Sequence, residues 1–236
     1  MDRGSYRQVE HLRSPWFLAI TALFITTLIT ANIIAVKLVS FDLPLAGTLF
    51  VPAAMIVFPI SYILGDVLTE VYGYQQARRV IWLGFFCNLV AVLAIAIGGS
   101  LPSAPFWDGQ ESYDRILGYV PRILAASFIA YLVGEFTNSA VLSRLKVATE
   151  GRWLWTRTIS STVAGQGLDS AIFILIAFAG IIPAPALFST ILTQWTLKVA
   201  YEILVTPLTY VVVDFLKKEE GIDHYDRSID LNPIAF

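Results

Sequence analysis

Acidic and amide side chains lie near the middle of long apolar stretches of this sequence. Six stretches cover residues 16–38, 49–71, 80–97, 121–143, 159–181 and 187–215. The polar residues inside them are Asn32, Asp66, Glu70, Asn88, Glu135, Asn138, Gln166, Asp169, Gln194, Lys198 and Glu202. Each stretch can cross a hydrocarbon layer about 30 Å thick, and a charge at the centre of that layer costs about 2.5–3.5 kcal/mol. We therefore expect these groups to face one another or a wet cavity, which would serve as a pathway or a binding site.

The polar residues fall three or four positions apart, which places them on one face of each helix. The resulting stripes are Tyr62-Asp66-Glu70, Tyr131-Glu135-Asn138, Thr162-Gln166-Asp169 and Gln194-Lys198-Glu202. A carboxylate accepts two N–H bonds from a guanine-like edge, and an amide offers both a donor and an acceptor to a lactam. The stripes thus predict a site for a small, flat, polar solute. Its predicted binding residues are Asn32, Asp66, Glu135, Asn138, Gln166, Asp169, Gln194, Lys198 and Glu202.

The same residues also fit a structural interpretation, in which they only hold the helices together. Lys198 can pair with Glu202 one turn away, and the amides can join neighbouring helices by hydrogen bonds. Glu70 lies close to the predicted cytoplasmic face, where Arg78 or Arg79 could pair with it as an ion pair or a gate. For Asp66, Glu135 and Asp169 we favour a functional role, because packing alone rarely justifies so costly a group.

The composition indicates one integral membrane domain of the all-α class. Of the 236 residues, 56% are apolar and only 14% are charged, which leaves almost nothing for a soluble domain. We expect a cytoplasmic N-terminal segment at 1–14, a six-helix bundle at 15–216, and a solvated cytoplasmic tail at 217–236. The first apolar stretch is too long for a signal peptide and is read as a retained helix. No basic surface for nucleic acid is evident.

Lysines and arginines are distributed unevenly between the predicted loops. Twelve of the sixteen lie before the first stretch, between the second and third, between the fourth and fifth, or after the sixth. Only Arg115 and Arg122 lie on the opposite side, while Lys37 and Lys198 lie inside stretches. The positive-inside rule then places both termini in the cytoplasm, in agreement with six crossings.

A weak internal correspondence suggests a 3+3 inverted repeat. Asp169 lies 103 positions after Asp66, and Glu135 lies the same distance after Asn32. Pro59 and Gly65 in the second stretch, and Gly165 and Gly167 in the fifth, would interrupt corresponding helices, as in transporters with a midplane site.

The sequence offers no sign of a metal or cofactor. Cys87 is the single cysteine, and His11 and His224 lie outside the apolar stretches, so no Cys/His cluster has metal-ligand spacing. The P-loop pattern GxxxxGK[ST] is absent from the sequence.

Four segments resemble the VUT family of bacterial queuosine-precursor transporters. They are FPISYILGDVLTEVYGYQQARRVIWLGF at 58–85, PRILAASFIAYLVGEFTNS at 121–139, RTISSTVAGQGLDSAIF at 157–173 and KVAYEILVTPLTY at 198–210. The resemblance implies a six-helix carrier, similar to the substrate-binding subunits of energy-coupling-factor vitamin transporters, that takes up deazaguanine precursors. Some members carry Gln and Asp where Glu135 and Asn138 stand here, which leaves the preferred deazaguanine open.

We therefore expect a multi-pass transporter of the bacterial inner (plasma) membrane, without enzymatic activity, that imports a deazaguanine base. Coupling to protons, facilitated diffusion and docking onto a separate ATPase all stay open, as does a homodimer. One alternative is a substrate-binding subunit of a larger vitamin importer. Another is an intramembrane aspartyl-type enzyme in which Asp66 and Asp169 share a proton, although Gly65-Asp66 lacks the fuller Gly-x-Gly-Asp context.

Overall fold

The computed structural model describes residues 14–34, 37–43, 47–118, 121–180, 183–226 and 231–233. Seven α-helices account for most of them: α1 Pro15–Ile34, α2 Phe58–Tyr72, α3 Tyr74–Ser100, α4 Gln110–Leu117, α5 Pro121–Ala148, α6 Leu154–Phe178 and α7 Ala184–Glu220. The predominantly helical fold is thus confirmed. The predicted N-terminal segment lies, apart from Ser14, outside the described residues.

A β-hairpin between α1 and α2 was not predicted from the sequence. Strand β1 (Leu38–Leu43) pairs antiparallel with β2 (Gly47–Pro52), with Leu38 opposite Pro52 and Leu43 opposite Gly47. The predicted helical stretch 49–71 is therefore wrong at its start, because its first residues pair as a strand. Helix α2 begins only at Phe58, where Pro59 occupies the first turn that tolerates proline.

Four described helices are long and apolar enough to cross a membrane, namely α1, α3, α6 from Leu154 to Ala177, and α7 from Leu187 to Glu220. Helix α5 has a sufficient length of 28 residues. Helix α2 has 15 residues, which reach only about 22 Å at 1.5 Å per residue. The exact count of six crossings and the inverted repeat stay predictions. Helices α2 and α6 run uninterrupted through the glycines that were expected to break them.

The outer face of the bundle is apolar. On α3, the exposed large side chains are Leu83, Phe86, Val90, Leu93 and Ile97, each between 48% and 66% exposed. Their spacing of three and four residues makes one continuous stripe along the helix, and an apolar surface of this kind is covered by lipid. An apolar outer surface combined with buried polar residues is typical of a multi-pass membrane protein.

The beginning of α1 and the end of α7 lie at the same end of the bundle. The Ser14 hydroxyl donates to the Glu220 carboxylate, and the Trp16 ring meets the Phe215 ring edge-on with centroids 5.1 Å apart. In a chain that crosses the membrane an even number of times, the start of the first span and the end of the last span lie on the same side. We call this end the basic end, because it carries Arg78, Arg79, Arg144, Arg152 and Lys218. That it faces the cytoplasm follows from the charge pattern and stays a prediction.

The chain after α7 packs across the basic end. We call residues 221–226 and 231–233 the C-terminal strap. The Asp226 carboxylate accepts hydrogen bonds from the Tyr74 backbone N–H (2.8 Å) and the Ser143 hydroxyl (2.5 Å). Further on, strap carbonyls accept bonds from α3: Leu231 from Tyr74 Oη, Asn232 from Arg78 and Pro233 from Trp82 Nε1, at 2.7–2.8 Å. The tail that was expected to be solvated thus contacts the bundle through these residues, while Gly221, Asp223 and Asn232 stay exposed.

Candidate functional site

Helices α2, α5, α6 and α7 each turn one polar stripe into the bundle interior. Among the stripe residues, the side chains of Asp66, Glu135, Asn138, Gln166 and Glu202 are at most 5% exposed. We call these five, together with Tyr62, Asp169 and Lys198, the central cluster. The predicted polar stripes of these four helices thus come together in the bundle interior, and their role as a binding site stays a prediction.

Helices α2 and α5 are joined directly at the cluster. Asn138 Nδ2 donates a 2.7 Å hydrogen bond to Asp66 Oδ1. Gly65 directly precedes Asp66 on α2, and a Cβ added to it would lie only 3.2 Å from Glu135 Oε2. The glycine therefore leaves room for the Glu135 carboxylate beside α2.

Helices α6 and α7 contribute an ion pair between Asp169 and Lys198. The alternative pairing of Lys198 with Glu202 is wrong, because α6 brings Asp169 to the ammonium group. Tyr62 of α2 is also within hydrogen-bonding reach of Lys198, and Glu135 interacts electrostatically with both Asp169 and Lys198. Tyr62 was placed on the polar stripe but was missed as a site residue; its position one turn before Asp66 was the available signal.

The two aspartates therefore have separate partners. Asp66 is bonded to Asn138, and Asp169 is paired with Lys198. A dyad in which Asp66 and Asp169 share one proton, as the aspartyl-enzyme alternative requires, is not present.

Five oxygen atoms in the cluster are buried without a hydrogen-bond partner in the described part of the chain. They are Asp66 Oδ2, Glu135 Oε2, Asn138 Oδ1, Gln166 Oε1 and Glu202 Oε1. Leaving a buried acceptor unsatisfied costs about 1–3 kcal/mol. A ligand rich in N–H groups would satisfy such a set of five buried acceptors.

The charges of the cluster do not balance. It contains the carboxylates of Asp66, Glu135, Asp169 and Glu202 against the single ammonium group of Lys198. Within the described ranges, only Asp169 among these acids has a cation within ion-pair distance. Those ranges also contain no group of three or more acidic, cysteine or histidine side chains arranged to hold a metal ion.

Two glycines set the spacing between α5 and α6 at the cluster. A Cβ on Gly134 would lie 2.8 Å from Asp169 Cβ, and a Cβ on Gly165 would lie 2.8 Å from both Asn138 Cβ and the Gly134 carbonyl oxygen. Because real Cβ atoms do not approach so closely, the helices can cross here only through glycine. The two glycines therefore position Asn138 and Asp169.

Glu70 anchors a second group of charges, one turn nearer the basic end than Asp66. Its carboxylate, which is fully buried, meets Arg157 Nη2 at 2.7 Å, Lys217 Nζ at 2.8 Å and Lys146 Nζ at 3.6 Å. Asp223 of the strap binds Lys146 at 2.6 Å and Lys217 at 2.9 Å. We call these five residues the Glu70 network.

The predicted pairing of Glu70 with Arg78 or Arg79 is wrong, because Glu70 pairs with other cations. Arg78 and Arg79 follow the turn at Gly73 on another helix. Arg78 donates to the Asn232 carbonyl of the strap, and exposed Arg79 approaches Gln76 at 3.4 Å. The partners come from α5, α6 and α7, which the local sequence around Glu70 could not indicate.

Two predicted site residues make other contacts. Asn32 Nδ2 donates to the Leu28 carbonyl of its own helix at 3.2 Å, and Asn32 Oδ1 lies 3.5 Å from the Ser127 hydroxyl. Gln194 is half-buried on α7, and its side chain makes no hydrogen bond to another described residue. Their membership of the site stays a prediction.

Comparison with known proteins gives a consistent result. The family model described as "Putative vitamin uptake transporter" matches residues 52–212. A "Probable queuosine precursor transporter" of Bacillus subtilis (strain 168) is 29% identical over 158 residues, which make up 66% of this chain and 68% of that protein. No solved structure matches the chain significantly.

Two further relatives share about half of their length with this chain. The "Queuosine precursor transporter" of Escherichia coli (strain K12) is 31% identical over 121 residues, 51% of this chain and 52% of the relative. A "Probable queuosine precursor transporter" of Haemophilus influenzae is also 31% identical over 121 residues, covering 49% of that relative. The chain therefore belongs to the vitamin uptake transporter family that the matching model describes, a family of transporters and not of enzymes.

Proposed function

We propose that the protein imports a deazaguanine-type queuosine precursor across the inner (plasma) membrane of a bacterial cell. The base binds at the central cluster, between α2, α5, α6 and α7. The observation that carries this proposal is the set of five buried, unpartnered acceptor oxygens. The names of the curated relatives support the substrate class.

The guanine-like edge of the base supplies the donors that these oxygens need. Its ring N1–H and exocyclic amine point the same way, so one carboxylate accepts both. Glu135 is the best placed acid for this role, because its Oε2 is unpartnered whereas Asp169 is held by Lys198. Asn138 and Gln166 offer amides to the lactam carbonyl and the pyrrole N–H.

The remaining acids suit a positively charged substituent on the base. Asp66 and Glu202 each have one unpartnered oxygen and no cation within ion-pair distance in the described chain. An aminomethyl group on the deazaguanine ring would pair with one of them and reduce the excess negative charge. A base that lacks this group still satisfies the acceptors around its guanine edge.

Binding to the purified protein tests this function. We expect 7-deazaguanine and its aminomethyl derivative to raise the melting temperature in detergent, since a ligand that binds the folded state stabilises it. Adenine serves as the matched control, because its edge presents the opposite order of donors and acceptors, and it should give no shift. A chain that responds to none of the deazaguanines, or equally to adenine, would refute the proposal.

The assembly of the carrier is a separate question. A homodimer and a partner that couples transport to ATP hydrolysis both stay predictions. The lipid bilayer is the partner for the exposed apolar stripe of α3.

A further inference from the structure

We propose that import through the central cluster is driven by protons and that the pair formed by Asp66 and Glu202 carries the coupling proton. This inference rests on the proposed function, since it concerns the energy source of the same site. The carrier would then bind two ligands, the base and a proton.

The surroundings of Asp66 contain acids and few cations. Glu70 stands on its own helix, Glu135 faces it from α5 and Glu202 from α7, and all three interact with it electrostatically. Helix α6 contributes Asp169, whose charge is already met by Lys198 of α7. Helix α1 contains no charged residue, and the charged residues of α3, Arg78 and Arg79, stand in the second turn of that helix, at the basic end.

A proton is the ligand that this arrangement requires. Asp66 is 1% exposed and Glu202 is 2% exposed, so neither carboxylate can be stabilised by bulk water. Carboxylates that lie close together in such a place cannot all be ionised. A proton neutralises a single buried carboxylate without needing a set of ligands, and the described residues contain no group of three or more acidic, cysteine or histidine side chains arranged to hold a metal ion.

The open oxygens indicate where the proton sits. Asp66 Oδ1 accepts the Asn138 amide, while Asp66 Oδ2 and Glu202 Oε1 have no partner. Glu135 also has an unpartnered oxygen, but the proposed function places the guanine edge of the base against it. A neutral deazaguanine supplies N–H donors but no charge, so the proton is needed even when the base is bound.

The Glu70 network determines the side of the membrane on which the proton is released. It lies one helical turn beyond Asp66 towards the basic end. Its three cations, Arg157, Lys217 and Lys146, exceed its two carboxylates, Glu70 and Asp223, by one charge. Positive charge favours the ionised form of a nearby carboxylate. Opening of the carrier at this end would therefore favour loss of the proton on the predicted cytoplasmic side.

The test uses purified full-length protein in sealed liposomes with radiolabelled 7-deazaguanine, which is neutral. With the interior one pH unit more alkaline than the exterior, symport of one proton per base gives up to about ten-fold accumulation, because one pH unit corresponds to 1.36 kcal/mol. Without the gradient, the base only equilibrates. A dye trapped in the liposomes should also report acidification when the base is added outside.

The variants Asp66→Asn and Glu202→Gln keep the shape of each side chain but cannot exchange a proton. Whatever their absolute rates, the ratio of uptake with the gradient to uptake without it should fall to one. Glu202→Asp, which retains an acid, should keep part of the gradient response. Glu219→Gln, at an exposed position on α7, is the control and should behave as the wild type.

The outcomes separate the two proposals. If the wild-type protein equilibrates the base but does not respond to the pH gradient, proton coupling is overturned. The proposed function is not affected by that result. Failure of the wild-type protein to bind or move the base overturns the proposed function itself. Full gradient response in both Asp66→Asn and Glu202→Gln overturns the assignment of the proton to this pair. The wild-type gradient experiment decides the coupling even where a variant does not fold.

Discussion

At the scale of single residues, the acids of the central cluster differ in what their oxygens are free to do. Lys198 neutralises the Asp169 carboxylate, so the charge of Asp169 is already paired within the protein. Glu135 keeps an unpartnered oxygen although it is only 5% exposed. Chemically similar side chains thus have different roles, one maintaining the site and the other open to a ligand.

We expect Glu135→Gln to weaken binding of 7-deazaguanine by about 10- to 100-fold. The amide replaces an acceptor oxygen with an N–H group that faces the donors of the base, and a hydrogen bond to a charged group contributes about 1.5–3 kcal/mol. The dissociation constant measured by calorimetry on the detergent-solubilised protein checks this. Glu219→Gln, at an exposed position on α7, is the control and should change affinity less than two-fold. An unchanged constant in Glu135→Gln would remove Glu135 from the site.

At the scale of the elements, the crossing of α5 and α6 determines how far apart the binding groups stand. Gly134 and Gly165 face each other there, so an added methyl group must push the helices apart. Overpacking of this kind costs about 1–3 kcal/mol. The displacement falls on Asn138 and Asp169, which the two glycines contact.

We therefore expect Gly165→Ala to reduce affinity for the base by about ten-fold or more, since about 1.4 kcal/mol corresponds to a factor of ten. Gly167→Ala is the matched control on the same helix. Its Cβ would meet the Trp195 ring at 3.3 Å, a contact that a small movement of the ring relieves. Equal losses in the two variants, measured by binding, would show that the crossing has no special role in the site.

The elements also show what the sequence could predict. The stripes of α5, α6 and α7 followed from apolar length and helical spacing, which are local properties of the chain. The hairpin before α2 was missed, because a short apolar run such as residues 49–52 has no period that distinguishes a strand from the start of a helix. The pairing of Lys198 with Asp169, and of Glu70 with Arg157, joins residues on different helices that only the packing of the bundle brings together.

At the scale of the whole molecule, charge is arranged in two layers along the bundle. The central cluster holds an excess of carboxylates, and the Glu70 network and the basic end hold an excess of cations. Helix α2 connects the layers, because Asp66 and Glu70 share one of its faces. The C-terminal strap completes the second layer by placing Asp223 between Lys146 and Lys217.

The strap should also stabilise the folded carrier, chiefly through Asp226. The Tyr74 N–H and the Ser143 hydroxyl donate hydrogen bonds to this carboxylate, and His224 Nε2 lies 3.2 Å from it. Asp226→Ala leaves the first two without an acceptor, which should cost about 1–3 kcal/mol and lower the melting temperature in detergent. Glu219→Ala, at an exposed neighbouring position, should change stability by less than about 0.5 kcal/mol.

The pH dependence of that difference provides an independent check. Burial opposes ionisation of Asp226, but hydrogen bonds from His224, Ser143 and the Tyr74 backbone outweigh it and lower the pKa of the carboxyl. A group whose pKa is lowered by folding stabilises the protein above its ordinary pKa, about 3.9 for Asp, and loses that contribution as the pH falls below it. The gap in melting temperature between the wild type and Asp226→Ala should therefore stay constant from pH 7 to pH 5 and narrow below about pH 4. A gap that vanishes already between pH 7 and pH 5 would contradict control of the strap by the Asp226 carboxylate.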